Sequence, residues 1–296
     1  MNLENKHPRL IKDIGGIDRL AVSYSQIETF MQCPHRWHKT YVENIEKDIK
    51  TEALEYGSAI HETLEWFFKN RCRPTPMQCA KEFEMRAKSK DIPFVDVASQ
   101  LESMRDAILM IEWITGVFQK VHVDMSPLEK CLFNMRAIGI EEGFALDYKL
   151  PFPVTLDGTT YDNVAINGSI DLHLQHEDKH VVIDWKSGRK LFDAKKLQTN
   201  LQHPIYSMYI MRHYGNGLPV RNYYVFTRTQ EYQKVNVDME RIKQSVSILS
   251  NTFAKMYDFE SDENNKPHPS PLCYWCEHKD ECEFKSDYHP KEKKTD

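Results

Sequence analysis

The sequence predicts an α/β protein: a central mixed β-sheet flanked by helices, with a helical N-terminal portion and a C-terminal cysteine cluster. Three observations carry that expectation. The first part of the chain repeats apolar residues at helical spacing. From Leu128 the pattern changes to apolar and polar alternation broken by turn signals. The stretch VVIDWKSG, Val181–Gly188, is a near-continuous apolar run, the pattern of a strand covered on both faces.

Taken in order, residues 1–22 show no clear periodicity and read as an N-terminal extension. Ser25 and Glu28 have capping-box spacing ahead of the apolar face of Ile27, Phe30 and Met31, so a short helix is expected to start there. Cys33-Pro34 interrupts it, and Pro34 fits the first turn of a second helix carrying Trp37 and Tyr41. An amphipathic helix is expected over 52–70, with Ile60, Leu64, Phe67 and Phe68 on one side. Two more follow near 76–90 and 95–121, the second through Leu101, Met104, Ile108, Ile111 and Ile114, which completes a helical portion over 23–127. Residues 128–258 form the core, with several strands in a meander, turns at Asp157-Gly158 and at QHEDK, and VVIDW as the closing strand. A helix over 193–214 carries Leu197, Leu201, Ile205, Met208 and Tyr209, with Gly215 as its stop. Pro204 inside it kinks it or marks a new start. The strand NYYVFTRT and a helix over 238–257 follow, then a cysteine segment at 259–285 and a charged, frayed tail at 286–296.

Composition narrows the function classes. With 41% hydrophobic and 28% charged residues, the 296-residue chain folds as an ordinary globule. No apolar run is long enough to cross a bilayer, and the N-terminus lacks the apolar centre of a signal peptide, so a cytoplasmic protein with no membrane partner is expected. A net charge of −5 gives no global nucleic-acid footprint. Locally, Lys186, Arg189, Lys190, Lys195 and Lys196 form a basic rim able to hold phosphates, against the plainer reading of a solvated loop and helix start. Seven cysteines, an odd number, argue against a disulfide framework. Cys72, Cys79 and Cys131 stand isolated and read as small buried or semi-buried residues. Neither a G-x-x-x-x-G-K-[ST] loop nor G-x-G-x-x-G is present, so this chain alone is not a nucleotide-driven motor.

Four constellations carry chemistry. GSIDLHL places Asp171, and VIDWKSG places Asp184 and Lys186, at the ends of two strands joined by a short polar turn. Two converging carboxylates make an oxygen-rich site suited to Mg²⁺ or Mn²⁺, and a lysine beside it can orient a water or offset phosphate charge. The alternative is an Asp–Lys pair that merely holds a strand end. YGSAIHETLEWF places Gly57 and His61 at i, i+4, with His61 either a metal ligand or a packed helical residue. LQHPIYSM places Gln202 and Tyr206 on one helix face, able to hold phosphate or sugar oxygens or to stack a base, or simply part of an amphipathic helix. CYWCEHKDEC supplies Cys273, Cys276 and Cys282, a tight thiolate trio for which Cys33 is the natural fourth and His278 a minor alternative. Four thiolates suit a [4Fe–4S] cluster or Zn²⁺.

Together and in this order, these motifs resemble the RecB-like branch of the PD-(D/E)XK nuclease superfamily. More narrowly they resemble its iron–sulfur-containing exonucleases of the Cas4, AddB or Dna2 type. SYSQIETFMQCPHRW is similar to that family's opening helix with its Cys-Pro, GSAIH to its G-x-x-x-H motif, GSID and DWK to its two acidic positions and lysine, and QHPIY to its Q-x-x-x-Y. The resemblance implies a restriction-endonuclease-like core in which His61, Asp171 and Asp184 bind one or two Mg²⁺ or Mn²⁺. The Trp185 carbonyl is implied as a further ligand, its indole packing elsewhere. Asp171, Asp184 and Lys186 are implied as catalytic, Gln202, Tyr206, Lys190 and Lys195 as DNA-binding, and Cys33, Cys273, Cys276 and Cys282 as [4Fe–4S] ligands, with Zn²⁺ as the alternative. Glu141 or Glu142 would be either an added acidic group near the metals or, preferably, a solvated residue. The implied function is a metal-dependent DNA exonuclease acting on single strands or DNA ends in recombination, repair or replication, with a helicase or recombination partner possible. The rival readings are a non-catalytic DNA-binding module of the same fold and a zinc-stapled structural protein.

Overall fold

The computed structural model describes residues 10–14, 16–45, 50–119, 135–258 and 265–284. Cys131, the pattern change at Leu128 and the tail 286–296 lie outside these residues. The elements are β1 (Ile11–Asp13), β2 (Asp18–Ser23), α1 (Tyr24–Gln32), α2 (Pro34–Trp37), a π-helical turn (His38–Val42), α3 (Glu52–Lys69), α4 (Pro76–Ser89), α5 (Val97–Gln119), β3 (Arg136–Leu156), β4 (Thr159–His176), β5 (Lys179–Lys186), α6 (Ala194–Thr199), α7 (Gln202–Tyr214), β6 (Val220–Phe226), β7 (Glu231–Val235), α8 (Met239–Met256) and a 3₁₀ turn (Pro271–Trp275). The strands pair in the order β1-β2-β4-β5-β6-β7, with β3 also on β4. The β2–β4 and β5–β6 pairs are parallel, and the β1–β2, β4–β5 and β6–β7 pairs are antiparallel, so the sheet is mixed as expected.

The chain divides into two compact units, each built from separated segments: one from 1–49, 145–168 and 243–296, the other from 50–144 and 169–242. In the first, β1 and β2 occupy the stretch that shows no periodicity. They are short, and only Leu20-Ala21-Val22 forms an apolar run, wholly buried where β2 meets β4 at Ala165–Asn167. Helix α1 starts earlier than Ser25–Glu28 suggests. Ser23 is the cap: its backbone is extended and its Oγ accepts from Gln26 N at 3.3 Å, while Ser25 Oγ pairs with Ser23 Oγ at 2.8 Å. Pro34 sits in the first turn of α2, as expected. Trp37 is buried edge-on to Phe30 and Tyr257.

In the second unit, α3 is capped by Thr51 and α4 by a Thr75–Gln78 capping box. The apolar stripe of α3 (Tyr56, Ile60, Leu64, Phe67) packs with α4, α5 and the strand residues Leu172, Val181, Ile183 and Trp185 in one core. β4 and β5 form the expected hairpin. β6 runs parallel to β5, which requires a crossover, and α6 and α7 lie within it. The helix expected over 193–214 is therefore two helices. Asn200 turns extended (φ −65°, ψ 131°), and Pro204 lies in the first turn of α7, where its missing N–H leaves no bond unmade. Gly215, at φ 57°, ends α7 as expected. β7 is an addition: the polar EYQKV shows little apolar alternation and pairs as the last strand on β6.

Candidate active site

The hairpin register sets the carboxylates face to face. Leu172 pairs with Ile183, so the next step places Asp171 opposite Asp184. Asp184 lies near the end of β5, as expected, but Asp171 is interior to β4, which continues to His176 before the turn. Asp171 Oδ2 accepts from Trp185 N at 2.8 Å. Asp184 Oδ2, 2% exposed as a residue, meets Lys186 Nζ at 2.5 Å. The Trp185 indole stacks on Phe68 in the core, 6.0 Å between centroids, leaving its carbonyl toward the pocket.

That carbonyl receives His61. Helix α3 passes close to the end of β5, where a Cβ on Gly57 would stand 2.9 Å from Ser187 Oγ. This approach lets His61 Nε2 donate to Trp185 O at 3.1 Å. A carbonyl only accepts, so the proton of the neutral ring is on Nε2 and Nδ1 carries a lone pair. Nδ1 faces Asp171 Oδ2 at 3.5 Å, acceptor against acceptor. Burial pushes the His61 pKa down, which keeps the ring neutral and able to bind a cation.

A third group completes the pocket. His61, Glu141 and Asp171 each offer a ligand atom, and these atoms lie within 4.8 Å of one another. The preferred sequence reading of Glu141 as solvated is thereby corrected. It is half-buried, with Oε2 accepting from Ser169 Oγ at 3.0 Å. The cause is a kink in β3: Glu141 has φ 48°, left-handed for a non-glycine residue. Strict alternation sends neighbouring side chains to opposite faces. Here Glu141 reaches Ser169 and Glu142 reaches His173, and Ser169, Asp171 and His173 share one face of β4. The signal was present in GIEEG, since paired glycines within a strand mark a bulge.

The electrostatics describe a site short of positive charge. Burial, then the charges of Asp184 and Glu141, push the Asp171 pKa well above the ordinary carboxylate range. Burial also raises Glu141. Two carboxylates and a bare imidazole nitrogen around one point fit a hard divalent cation such as Mg²⁺ or Mn²⁺.

Gln202 and Tyr206 are at the site, as their spacing suggests, and Pro204 does not displace them. Lys186 Nζ donates to Gln202 Oε1 at 3.4 Å, Gln202 Nε2 to Tyr206 Oη at 2.9 Å, and Tyr206 Oη to the Ser169 carbonyl at 2.9 Å. Tyr206 is only 4% exposed, so it reaches the pocket through Gln202. Lys190 and Lys195 are exposed on the rim. Arg189 of the same rim is instead tied to Glu102 of α5 at 2.7 Å.

In the other unit, Cys33, Cys273, Cys276 and Cys282 line one cavity together with His35 and Arg36. All four are free thiols, and among the described residues no three of their sulfurs lie within 4.8 Å of one another. Glu277, next to Cys276, is clamped by Arg36 at 2.9 and 2.8 Å. His278 Nε2 is engaged by Thr40 Oγ1 at 2.8 Å.

A family model described as PD-(D/E)XK nuclease superfamily matches residues 21–283. One component of the ATP-dependent helicase/deoxyribonuclease of Clostridium perfringens strain SM101 is 25% identical over 221 residues, covering 68% of this chain and 18% of that protein. Its counterpart in strain 13 is 24% identical over 234 residues, with the same coverage. The chain thus spans under a fifth of the length of these curated relatives. Among solved structures, a chain from Eubacterium rectale described as a candidate exonuclease aligns with TM-score 0.48 at 12% identity, covering 87% of each chain.

Proposed function

The chain belongs to the PD-(D/E)XK nuclease superfamily, and from that membership we propose that it is a divalent-metal-dependent exonuclease hydrolysing DNA on single strands or at ends. The observation that carries the reading is the convergence of His61, Glu141 and Asp171 within 4.8 Å, beside the Asp184–Lys186 pair. The choice of DNA follows the deoxyribonuclease activity in the relatives' name. That name also pairs the activity with a helicase, which supports a helicase or recombination partner supplying the end.

His61 Nδ1, Asp171 and Glu141 would hold the ion, with Asp184 and the Trp185 carbonyl adjoining. Mg²⁺ or Mn²⁺ there would polarise the scissile phosphate and acidify an attacking water. Lys186, held between Asp184 and Gln202, is placed to orient that water and to offset negative charge developing on the phosphate. Tyr206 fixes Gln202 and so the lysine, while Lys190 and Lys195 offer phosphate contacts along the rim.

For the cysteine cavity the reading favours [4Fe–4S] over zinc. Tetrahedral zinc with Zn–S near 2.3 Å would gather its sulfurs about 3.8 Å apart. Four thiolates lining one cavity also suit a cubane that spreads them over four irons.

The test is digestion of end-labelled and end-blocked single- and double-stranded DNA with Mn²⁺. Wild type should degrade open ends, chelation should abolish cutting, and Lys186→Ala or Asp184→Asn should lose on the order of 10²–10³-fold in rate. Equal activity in wild type and both variants would overturn the enzymatic reading.

A further inference from the structure

Beside the pocket lies a buried polar network that the hydrolytic reading does not use. Glu142 Oε2 accepts from His173 Nδ1 at 2.8 Å, and Oε1 accepts from the hydroxyls of Tyr209 at 3.2 Å and Tyr214 at 2.9 Å. Its protons run in one direction. Because a carboxylate accepts, His173 carries its proton on Nδ1 and turns the lone pair of Nε2 to His180 Nδ1, 2.9 Å away. His180 Nε2 in turn accepts from Asn216 Nδ2 at 3.0 Å, and Asn216 Oδ1 receives the Leu218 N–H at 3.2 Å. Both histidines are fully buried. A continuous chain of polar contacts therefore runs from the strand β3 carboxylate to Asn216, just after α7.

The network adjoins the pocket through the backbone of β3 and β4 and through Phe144, which packs on both Tyr209 and Tyr206. Glu142 directly follows Glu141 in the left-handed kink, and His173 lies two residues beyond Asp171 on the same face of β4. Gly139 makes the arrangement possible: a Cβ there would stand 2.1 Å from Glu142 Oε2. Anchoring Glu142 to His173 holds β3 against β4 in the register that aims Glu141 at His61 and Asp171. An unanchored β3 would relax toward ordinary alternation and turn Glu141 away.

We propose that Glu142, locked by His173, Tyr209 and Tyr214, is a positioning residue that sets the metal-binding geometry of Glu141 through the β3 kink. The inference rests on the metal reading given above. Hydrogen-bonded groups behind metal ligands are commonly worth about 10–100-fold in metal affinity.

The test measures Mn²⁺ affinity of the full chain by calorimetry and by the Mn²⁺ paramagnetic resonance signal, at one fixed pH. Glu142→Gln keeps size and the tyrosine contacts but sets an amide against the His173 chain. It should weaken Mn²⁺ binding by about 10–100-fold. Added to Glu141→Gln, it should cause no further loss, because it acts through that residue. Gly139→Ala, which dislodges the Glu142 side chain while leaving every network group chemically unchanged, should reproduce the loss. The core variant Ile111→Val, far from the network in function, should keep wild-type affinity. If Glu141→Gln weakens binding while Glu142→Gln and Gly139→Ala do not, or if the losses simply add, the positioning role is overturned and the metal reading survives. If wild type and Glu141→Gln bind Mn²⁺ equally, the metal reading falls, and the positioning role with it.

Discussion

His203 shows what a single side chain contributes beneath the pocket. It is fully buried on α7, edge-on to Tyr224 at 4.3 Å and to Tyr206 at 5.8 Å. Burial lowers its pKa from the ordinary 6.5 to about 4. The folded chain therefore refuses a proton that the unfolded chain accepts. The group costs nothing above pH 6.5, and its stability contribution is lost as the pH falls from there through about 4. For a fully enclosed ring this amounts to roughly 3 kcal/mol. His203→Phe keeps the ring contacts and removes the proton site. Urea unfolding at neutral and at acid pH should show the acid loss shrink by that amount, and an undiminished loss would refute the buried neutral ring. The residue scale is also where the sequence was most legible. Spacing pairs Asp184 with Lys186 and Gln202 with Tyr206, and the hairpin register pairs Asp171 with Asp184, while the packing of α3 and α7 brings His61 and Gln202 to them. In the sequence the metal role of Glu141 is only the less favoured reading, because its side chain is aimed by a backbone dihedral that the paired glycines of GIEEG hint at but do not specify.

At the scale of elements, local physics was legible wherever an element carried its own periodicity. Helices α3, α4, α5 and α8 and the β4–β5 hairpin stand where their patterns put them. The misses are elements defined by partners. β1, β2 and β7 are short and gain their hydrogen bonds from neighbouring strands, so their sequences need little alternation of their own. The break between α6 and α7 follows from the crossover to β6, which apolar spacing alone does not reveal. One contact between elements can be measured directly. Gly57 in α3 is a poor helix former by about 0.5–1 kcal/mol relative to alanine, and it is kept where Ser187 Oγ stands 2.9 Å from an added Cβ. Gly57→Ala should therefore stabilise the chain by about 0.5–1 kcal/mol in a Ser187→Ala background, and by less with Ser187 present. A double-mutant cycle in urea reads the difference, and identical gains would show that the helix does not need the glycine for its approach.

For the molecule as a whole, the cysteine cavity links positions far apart in the chain, Cys33 with Cys273, Cys276 and Cys282. Closing so long a loop restricts the unfolded chain more than any local contact can. A protein purified without oxygen should be brown. Cys276→Ser should lose the colour and melt lower by on the order of 5 °C or more, about 2 kcal/mol for a chain of this size. A colourless wild type holding one zinc would overturn the iron–sulfur assignment. Among the described residues, no helix is long and apolar enough to cross a membrane.

The interleaving of the two units also sets an order in time. The unit that carries the pocket is complete in sequence at Ile242, whereas the other still awaits the segment from Lys243 onward. A chain emerging from the ribosome can thus finish the unit that carries the acidic pocket before Cys273, Cys276 and Cys282 are made. Filling of the cysteine cavity by the proposed cluster would then be the final event of maturation. Cutting the chain at any single peptide bond within the interleaved region divides at least one unit, so the two are inherited and synthesised as one piece.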